Sequence, residues 1–298
     1  MFIEIVDRFN LLKSTRKKIY NWKTVILHFM LRIPIGKVVF KGFPNTLFFE
    51  KCTAAPFFLA SLIDNGWSIL KTNENEVLLG LDESVKFNLS IDKKEGWHGL
   101  YEVFIKKVYG TDFRDKRILD IGMNIADSSI YFAVNGAKKI VGVEPIPTAY
   151  ERAILNISKS KMESVIFPVN RAVTCKGSDQ IELILSESAS AVSTVDIRYN
   201  NISQYATNKI KVKTITLEYL IEQYFSDGID VLKIDCEGCE YDIFLNEDDD
   251  IISKPESIIM EFHNYPDLIE NKLKSLGYSV SLSSRKKTGL LFASKNIV

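Results

Sequence analysis

Ile118-Leu119-Asp120-Ile121-Gly122-Met123-Asn124-Ile125-Ala126-Asp127-Ser128 decides how this chain folds. A strand that is apolar except for one carboxylate runs into a glycine-containing turn. A helix follows, with Asp127 or Ser128 placed as its N-cap. In open α/β sheets, ligands bind beyond the carboxyl ends of the strands, beside such turns. The missing side chain at Gly122 lets backbone approach a ligand there, and Ala126 is small enough to pack against the sheet.

Outward from this segment, strands alternate with helices. Apolar runs at 117–121, 140–144, 165–169, 230–234 and 257–262 are separated by helical stretches at 127–135, 147–159, 216–226 and 239–246. Such alternation predicts a mostly parallel sheet covered by helices on both faces. Gly277–Leu282 and Thr288–Ser294 flank a polar turn and read as an antiparallel hairpin closing that sheet. The expected fold class is therefore α/β, a Rossmann-like sheet of seven strands, mostly parallel with a C-terminal antiparallel hairpin, over residues 112–298. Methyltransferases commonly have this architecture. Ser186–Asn208, rich in Ser, Asn and Tyr, reads as a long irregular loop.

Residues 42–111 read as an accessory α+β region. Short strands are expected at 37–40 and 46–50, a helix at 56–65, a hairpin from 77–81 and 85–91, and a helix at 97–109. Residues 1–41 form a separate basic segment, with nine Lys and Arg against two acidic residues in a chain of zero net charge. Apolar side chains recur at helical spacing over 10–33, up to Pro34, so a basic amphipathic helix is expected; packing on the parent domain is its commoner use, and peripheral contact with a membrane is the alternative. The run Val25–Leu31 is far shorter than the roughly 20 residues that a spanning helix needs. Ordinary composition, no secretory signal and four cysteines without a disulfide spacing make a cytoplasmic location, with or without membrane association, the default expectation.

The acidic residue in the opening segment bears on the ligand. At the end of its strand, Asp120 would repel a pyrophosphate seated at the helix N-terminus. S-adenosylmethionine carries an ammonium and a sulfonium and no phosphate, so a carboxylate suits it. The turn also lacks the full G-x-G-x-x-G of dinucleotide folds. In Ile140-Val141-Gly142-Val143-Glu144-Pro145, an acid ends the second strand 22 residues after Gly122. That is the position for accepting hydrogen bonds from two ribose hydroxyls. In Val231-Leu232-Lys233-Ile234-Asp235-Cys236-Glu237-Gly238-Cys239-Glu240-Tyr241, three carboxylates crowd one strand end. Glu240 is accounted for as a first-turn helix charge. Asp235 and Glu237 are candidates for acceptor contact or proton removal. Cys236 and Cys239 lack the further ligands of a zinc site and do not follow the first strand of a βαβ unit, so they are expected as small buried side chains.

Three of these motifs, in order, resemble the FkbM family of methyltransferases. Residues 233–244, KIDCEGCEYDIF, are similar to its K-I-D-x-E-G-x-E signature, and 120–129, DIGMNIADSS, to its D-x-G-x-N-x-G-x-x-S, with Ala126 where glycine is usual. VGVEPIPTAYERAILNI, 141–157, resembles the second strand and following helix. The resemblance spans about residues 95–265. It implies S-adenosylmethionine-dependent transfer of a methyl group, commonly to an oxygen of a sugar, glycan or small metabolite. By position it implies that Asp120, Gly122 and Asn124 hold the methionine part, Glu144 the ribose, and that Asn170 and Arg171 lie near the adenine. It also implies that Asp235 sits beside the reacting methyl; the departure at Ala126 is expected to be tolerated, with a narrower site around the methionine moiety as the alternative.

Ile258-Ile259-Met260-Glu261-Phe262-His263 ends the fifth strand, next to the fourth, so His263 and Glu261 can converge with Asp235 and Glu237. Asp235, Glu237 and His263 are thus the candidate catalytic residues. An alternative use of Asp235, Glu237, Glu261 and His263 is to hold a divalent cation. No metal is the leading expectation. Methylation of a nucleic-acid base is a rival, but the fourth strand lacks the motif that holds a flipped base and no dense basic patch with aromatics appears, so no nucleic-acid partner is expected. A non-catalytic binding protein that keeps the fold is a further rival.

Overall fold

A computed structural model describes residues 5–51, 53–91, 96–175, 179–186 and 206–295. The chain divides into two compact units, residues 1–110 with 158–161 and residues 111–157 with 162–298.

The first unit opens with helices α1 (Ile5–Lys18) and α2 (Trp22–Met30). The apolar spacing over 10–33 predicts one helix, and the structure corrects this to two. Ile19 is fully buried in a bridge to Phe40, and the Asn21 side chain donates to the Lys37 carbonyl and accepts from the Val39 amide. Those tertiary bonds outcompete helix continuation across 19–21. Strands β1 (Gly36–Val39) and β2 (Thr46–Phe49) pair antiparallel, followed by α3 (Ala55–Asp64). The expected hairpin is β4 (Glu76–Gly80) with β5 (Lys86–Ser90), turned at Asp82, whose carboxylate accepts the Ser84 and Val85 amides. A third strand, β3 (Ser68–Thr72), adds to its far side. Helix α4 (Trp97–Leu100) then continues as a π-helical turn over Tyr101–Lys106. Trp67, Phe87 and Phe104 pack with ring centroids 5.2–6.1 Å apart.

The second unit runs β6 (Arg117–Ile121), α5 (Asp127–Val134), β7 (Lys139–Val143), α6 (Pro147–Lys159), β8 (Ile166–Val169), β9 (Ala172–Thr174), β10 (Gln180–Ser186) and β11 (Ala206–Thr216). It continues with α7 (Leu217–Tyr224), β12 (Val231–Ile234), α8 (Cys239–Asn246), α9 (Asp249–Ile252), β13 (Ser257–Phe262), α10 (Asp267–Ser275), β14 (Tyr278–Leu282) and β15 (Gly289–Lys295). Seven strands form one sheet in the order β14-β15-β13-β12-β6-β7-β8. The five from β8 to β13 are parallel, and β15 runs antiparallel to both its neighbours. This is the α/β, Rossmann-like, mostly parallel sheet with a C-terminal antiparallel hairpin that the alternation predicts.

The central strands are buried on both faces, which is why their sequences are nearly continuous apolar runs. The two charges inside those runs answer each other. Asp120 on β6 and Lys233 on β12 are register partners, and their side chains pair at 3.0 Å with exposures of 0% and 2%. From β6 the chain goes outward to β7 and β8, then returns to β12 on the other side, so the topological switch point lies between β6 and β12.

A second sheet, β10-β11-β9, is not among the elements expected from the sequence. Its small core joins Leu183 and Val212 to Ile146, Ala149 and Ala172. Of the expected loop Ser186–Asn208, the ends belong to β10 and β11, and 187–205 lie outside the described residues.

Candidate active site

At the switch point the Gly122 turn presses on the start of the 235–238 loop. A Cβ on Gly122 would stand 1.8 Å from the Asp235 carbonyl oxygen, and Gly122 has φ +78°, so only glycine is accommodated there. Beyond these strand ends opens a cleft, where ligands sit in open α/β sheets. Its lining combines apolar side chains, Val143, Ile146, Ala172, Val173 and Leu183, with the polar Asn124, Glu144, Arg171, Asp235 and Glu237.

The turn spends its amides inward. The Gly122 and Met123 N–H groups donate to the Val143 carbonyl, and the Asn124 N–H donates to Glu144 Oε2 at 3.1 Å. Glu144 Oε1 accepts from Ile146 N–H at 2.9 Å. Glu144 is 6% exposed, yet it lines the cleft between these two amides. The Asn170 side chain donates to the Glu144 and Pro145 carbonyls, which fixes the turn after β7. Arg171 lines the cleft and donates to the Asn170 carbonyl.

Asp120 lies beneath this floor, fully buried. Its carboxylate accepts from Ser128 and Ser129 hydroxyls, each at 2.6 Å, besides pairing with Lys233. Lys233 also donates to the Gly122 carbonyl at 2.9 Å. Burial works against the Lys233 charge, but Asp120 and Asp235 outweigh it and hold the ammonium up to about 12. Asp127 is buried nearby. Burial raises its carboxyl to about 7, against the pull of Lys233. The expected cap at Asp127 or Ser128 is corrected: Ala126, at φ +69°, precedes α5 without a side-chain cap, and Ser128 is engaged by Asp120. Ala126 is fully buried and is not among the residues lining the cleft.

Beside Asp235 and Glu237 a cluster of carboxylates surrounds one imidazole. Glu240, fully buried, accepts from the Cys236 amide at 3.1 Å and the Gly238 amide at 2.7 Å, so it clamps the loop that precedes its own helix. His263 Nδ1 stands 3.3 Å from Glu240, and Nε2 stands 3.2 Å from Glu237 and 3.8 Å from Glu261. Burial disfavours the imidazolium, but Glu240 and then Glu237 raise it well above the ordinary histidine range. Glu237 has φ +56° and is pushed up to about 7, by burial first and then by Asp235 and Glu240 against the pull of His263. Ligand-type atoms of Asp235, Glu261 and His263 come within 4.8 Å of one another.

Of the residues singled out in the sequence, the structure gathers Gly122, Asn124, Glu144, Arg171, Asp235 and Glu237 along the cleft. Asp120, Asn170 and His263 are not among the residues that line it. Lys233 and Glu240 were not foreseen. A lysine inside an apolar strand needs a buried partner, and that signal points to Lys233. The expectation for Cys236 and Cys239 is also corrected, because they are bonded to each other as a disulfide, with Cα atoms 5.5 Å apart. The turn through Glu237 and Gly238, both at positive φ, brings them within bridging range.

Sheet order, switch-point cleft and the acids at its strand ends define a Rossmann-like methyltransferase fold. More particularly, the model of the methyltransferase FkbM domain matches residues 120–280, and the chain belongs to that family. It is 23% identical to part of the AMB antimetabolite synthetase AmbE of Pseudomonas aeruginosa, over 61% of this chain and 10% of that protein. The chain therefore spans about a tenth of the length of this curated relative. Among solved structures, methyltransferase FkbM from Methylobacillus flagellatus KT is similar at 18% identity and a TM-score of 0.41, over 64% of this chain and 47% of that one. TrmK of M. capricolum, in complex with S-adenosylhomocysteine, is similar at 15% identity and a TM-score of 0.41, over 65% and 68%.

Proposed function

We propose that this chain methylates a hydroxyl oxygen of a sugar, glycan or small metabolite, using S-adenosylmethionine. The observation that carries the choice of cofactor is the use of the first turn's amides. Gly122, Met123 and Asn124 give their N–H groups to Val143 and to the carboxylate of Glu144. A pyrophosphate would find those donors taken and an anion beside them. A cationic ligand without phosphate fits the same surface. Glu144 is proposed to accept from the ribose hydroxyls, Arg171 and the apolar lining to flank the adenine, and Gly122 and Asn124 to border the methionine part. Asn170 and Asp120 are proposed to act through the turns they fix.

S-adenosylmethionine, when bound, supplies an electrophilic methyl on sulfur. The chain's own contribution is to position the acceptor and take its proton. Glu237, with a carboxyl near 7 at the cleft edge, is proposed as the base, oriented by the His263 imidazolium that Glu240 holds from behind. Asp235 is proposed to contact the acceptor hydroxyl. Both His263 nitrogens face carboxylates, an arrangement suited to an imidazolium, so no metal is proposed in this step. Residues 42–111 are proposed as an accessory region and 10–33 as a peripheral contact with anionic membrane. No nucleic-acid partner is proposed.

Calorimetric titration with S-adenosylmethionine and with NAD tests the reading. Binding is expected for the first alone. In Glu144→Gln, affinity should fall about 10-fold or more, the worth of a charge-assisted hydrogen bond. Turnover on a panel of glycans and polyols, read by mass, is expected to survive EDTA. Binding of NAD, or loss of turnover on chelation, would overturn the corresponding part.

A further inference from the structure

Cys236 and Cys239 are bonded across Glu237 and Gly238, and both line the cleft. A cross-link closing so short a loop removes little freedom from the unfolded chain, so global stability is a poor account of it. Its local effect is large. Between the two cysteines in sequence is Glu237 at φ +56°, its carboxylate 3.2 Å from His263. The bond closes the turn that presents this residue.

The two sulfurs differ in a way that permits exchange. Cys236 is partly exposed, whereas Cys239 is 4% exposed and opens α8, an eight-residue helix. At that helix end the aligned peptide dipoles of α8 favour negative charge on a departing sulfur. The remaining cysteine, Cys175, has no such setting: burial and Asp242 push its thiol up to about 11.

We propose that Cys236–Cys239 is a reversible thiol–disulfide exchange site, acted on by dithiol reductants, whose oxidised state fixes the Glu237 turn. A reductant thiolate attacks the sulfur of the partly exposed Cys236, and the Cys236–Cys239 bond breaks with its electron pair leaving on Cys239. The reductant's second thiol, losing its proton, then displaces Cys236 and closes the reductant's own disulfide. The protein gains two electrons and two protons, and the dithiol loses them. The effect on methyl transfer rests on the reading of Glu237 as base, but the exchange and the change of conformation do not.

The full chain is incubated with dithiothreitol or with diamide, alkylated with iodoacetamide and mapped by mass. Hydrogen exchange of residues 235–239 is followed in both states. Two added alkyl groups, at Cys236 and Cys239, are expected only after reduction, with reversal by diamide and amide exchange about tenfold faster in the reduced loop. Cys236→Ser/Cys239→Ser should exchange like the reduced protein and ignore both reagents. A pair that does not cycle in the folded chain, or a loop that exchanges equally in both states, overturns the proposal. If the pair cycles and the loop loosens while turnover is unchanged, the exchange site stands and the role of Glu237 as base falls.

Discussion

Glu237 is held in the left-handed region, which costs a non-glycine residue roughly 1–2 kcal/mol. Its carboxyl is displaced to about 7. The two consequences for pH run in opposite directions. As a base it acts only when ionised, so kcat/KM is expected to rise about tenfold per unit below pH 7 and to level off above it. For stability, a carboxyl raised in the folded state favours the fold below its unfolded value and loses that contribution as pH rises through about 7. Activity should therefore climb over the window in which this group becomes a liability to the fold. Glu237→Gln is expected to remove the acid limb and lower turnover by about 10²–10⁴. A wild-type profile flat from about pH 5.5 to 8.5 would remove Glu237 from the reaction. Glu144, Asp235 and Glu237 were legible because acids at strand ends serve no packing purpose. Lys233 and Glu240 were not, because their roles arise from register and loop geometry: Lys233 meets Asp120 only once β6 and β12 are known to be neighbours.

The elements of the main sheet were legible because parallel strands must be apolar throughout and their connections must be helical. The break in the first helix was not, since it depends on hydrogen bonds from Asn21 to a strand about 17 residues away. The second sheet had a usable signal in Lys209-Ile210-Lys211-Val212-Lys213, which alternates with the period of a strand. How closely two elements approach is a further property that composition does not carry. At Gly122 the approach of the β6 turn to Asp235 leaves no room for a methyl group, whereas Gly110, also at positive φ, has nothing within 4 Å of an added Cβ. Gly122→Ala is therefore expected to cost about 3 kcal/mol or more, as strain and overpacking add. Gly110→Ala should cost about 1–2 kcal/mol from backbone conformation alone. Urea unfolding of both variants reads the difference. Equal losses would mean that the switch point is not sterically closed.

At the scale of the whole chain, apolar exposure is concentrated at one end. Eight of the seventeen exposed large hydrophobic side chains among the described residues fall within the first 33 positions, about a ninth of the sequence. Leu27, Met30 and Leu31, at helical spacing, are 54%, 74% and 59% exposed. Such a face costs free energy in water unless something covers it. The same segment carries a net charge of +7 over residues 1–41, which selects a negatively charged surface. No helix among the described residues is long and apolar enough to cross a membrane, so the proposed contact is one that lies on the surface. The full chain is expected to sediment with vesicles containing anionic lipid, to bind neutral vesicles about tenfold or more weakly, and to dissociate as salt screens the charges. Leu27→Glu/Met30→Glu should release it from anionic vesicles while leaving S-adenosylmethionine affinity unchanged, because both residues belong to the first unit and the cleft is built from the second. Light scattering provides the opposing outcome. If the wild type is a dimer that the double variant splits, and vesicle binding is absent, the apolar face is covered by a second copy of the chain and the membrane reading is lost.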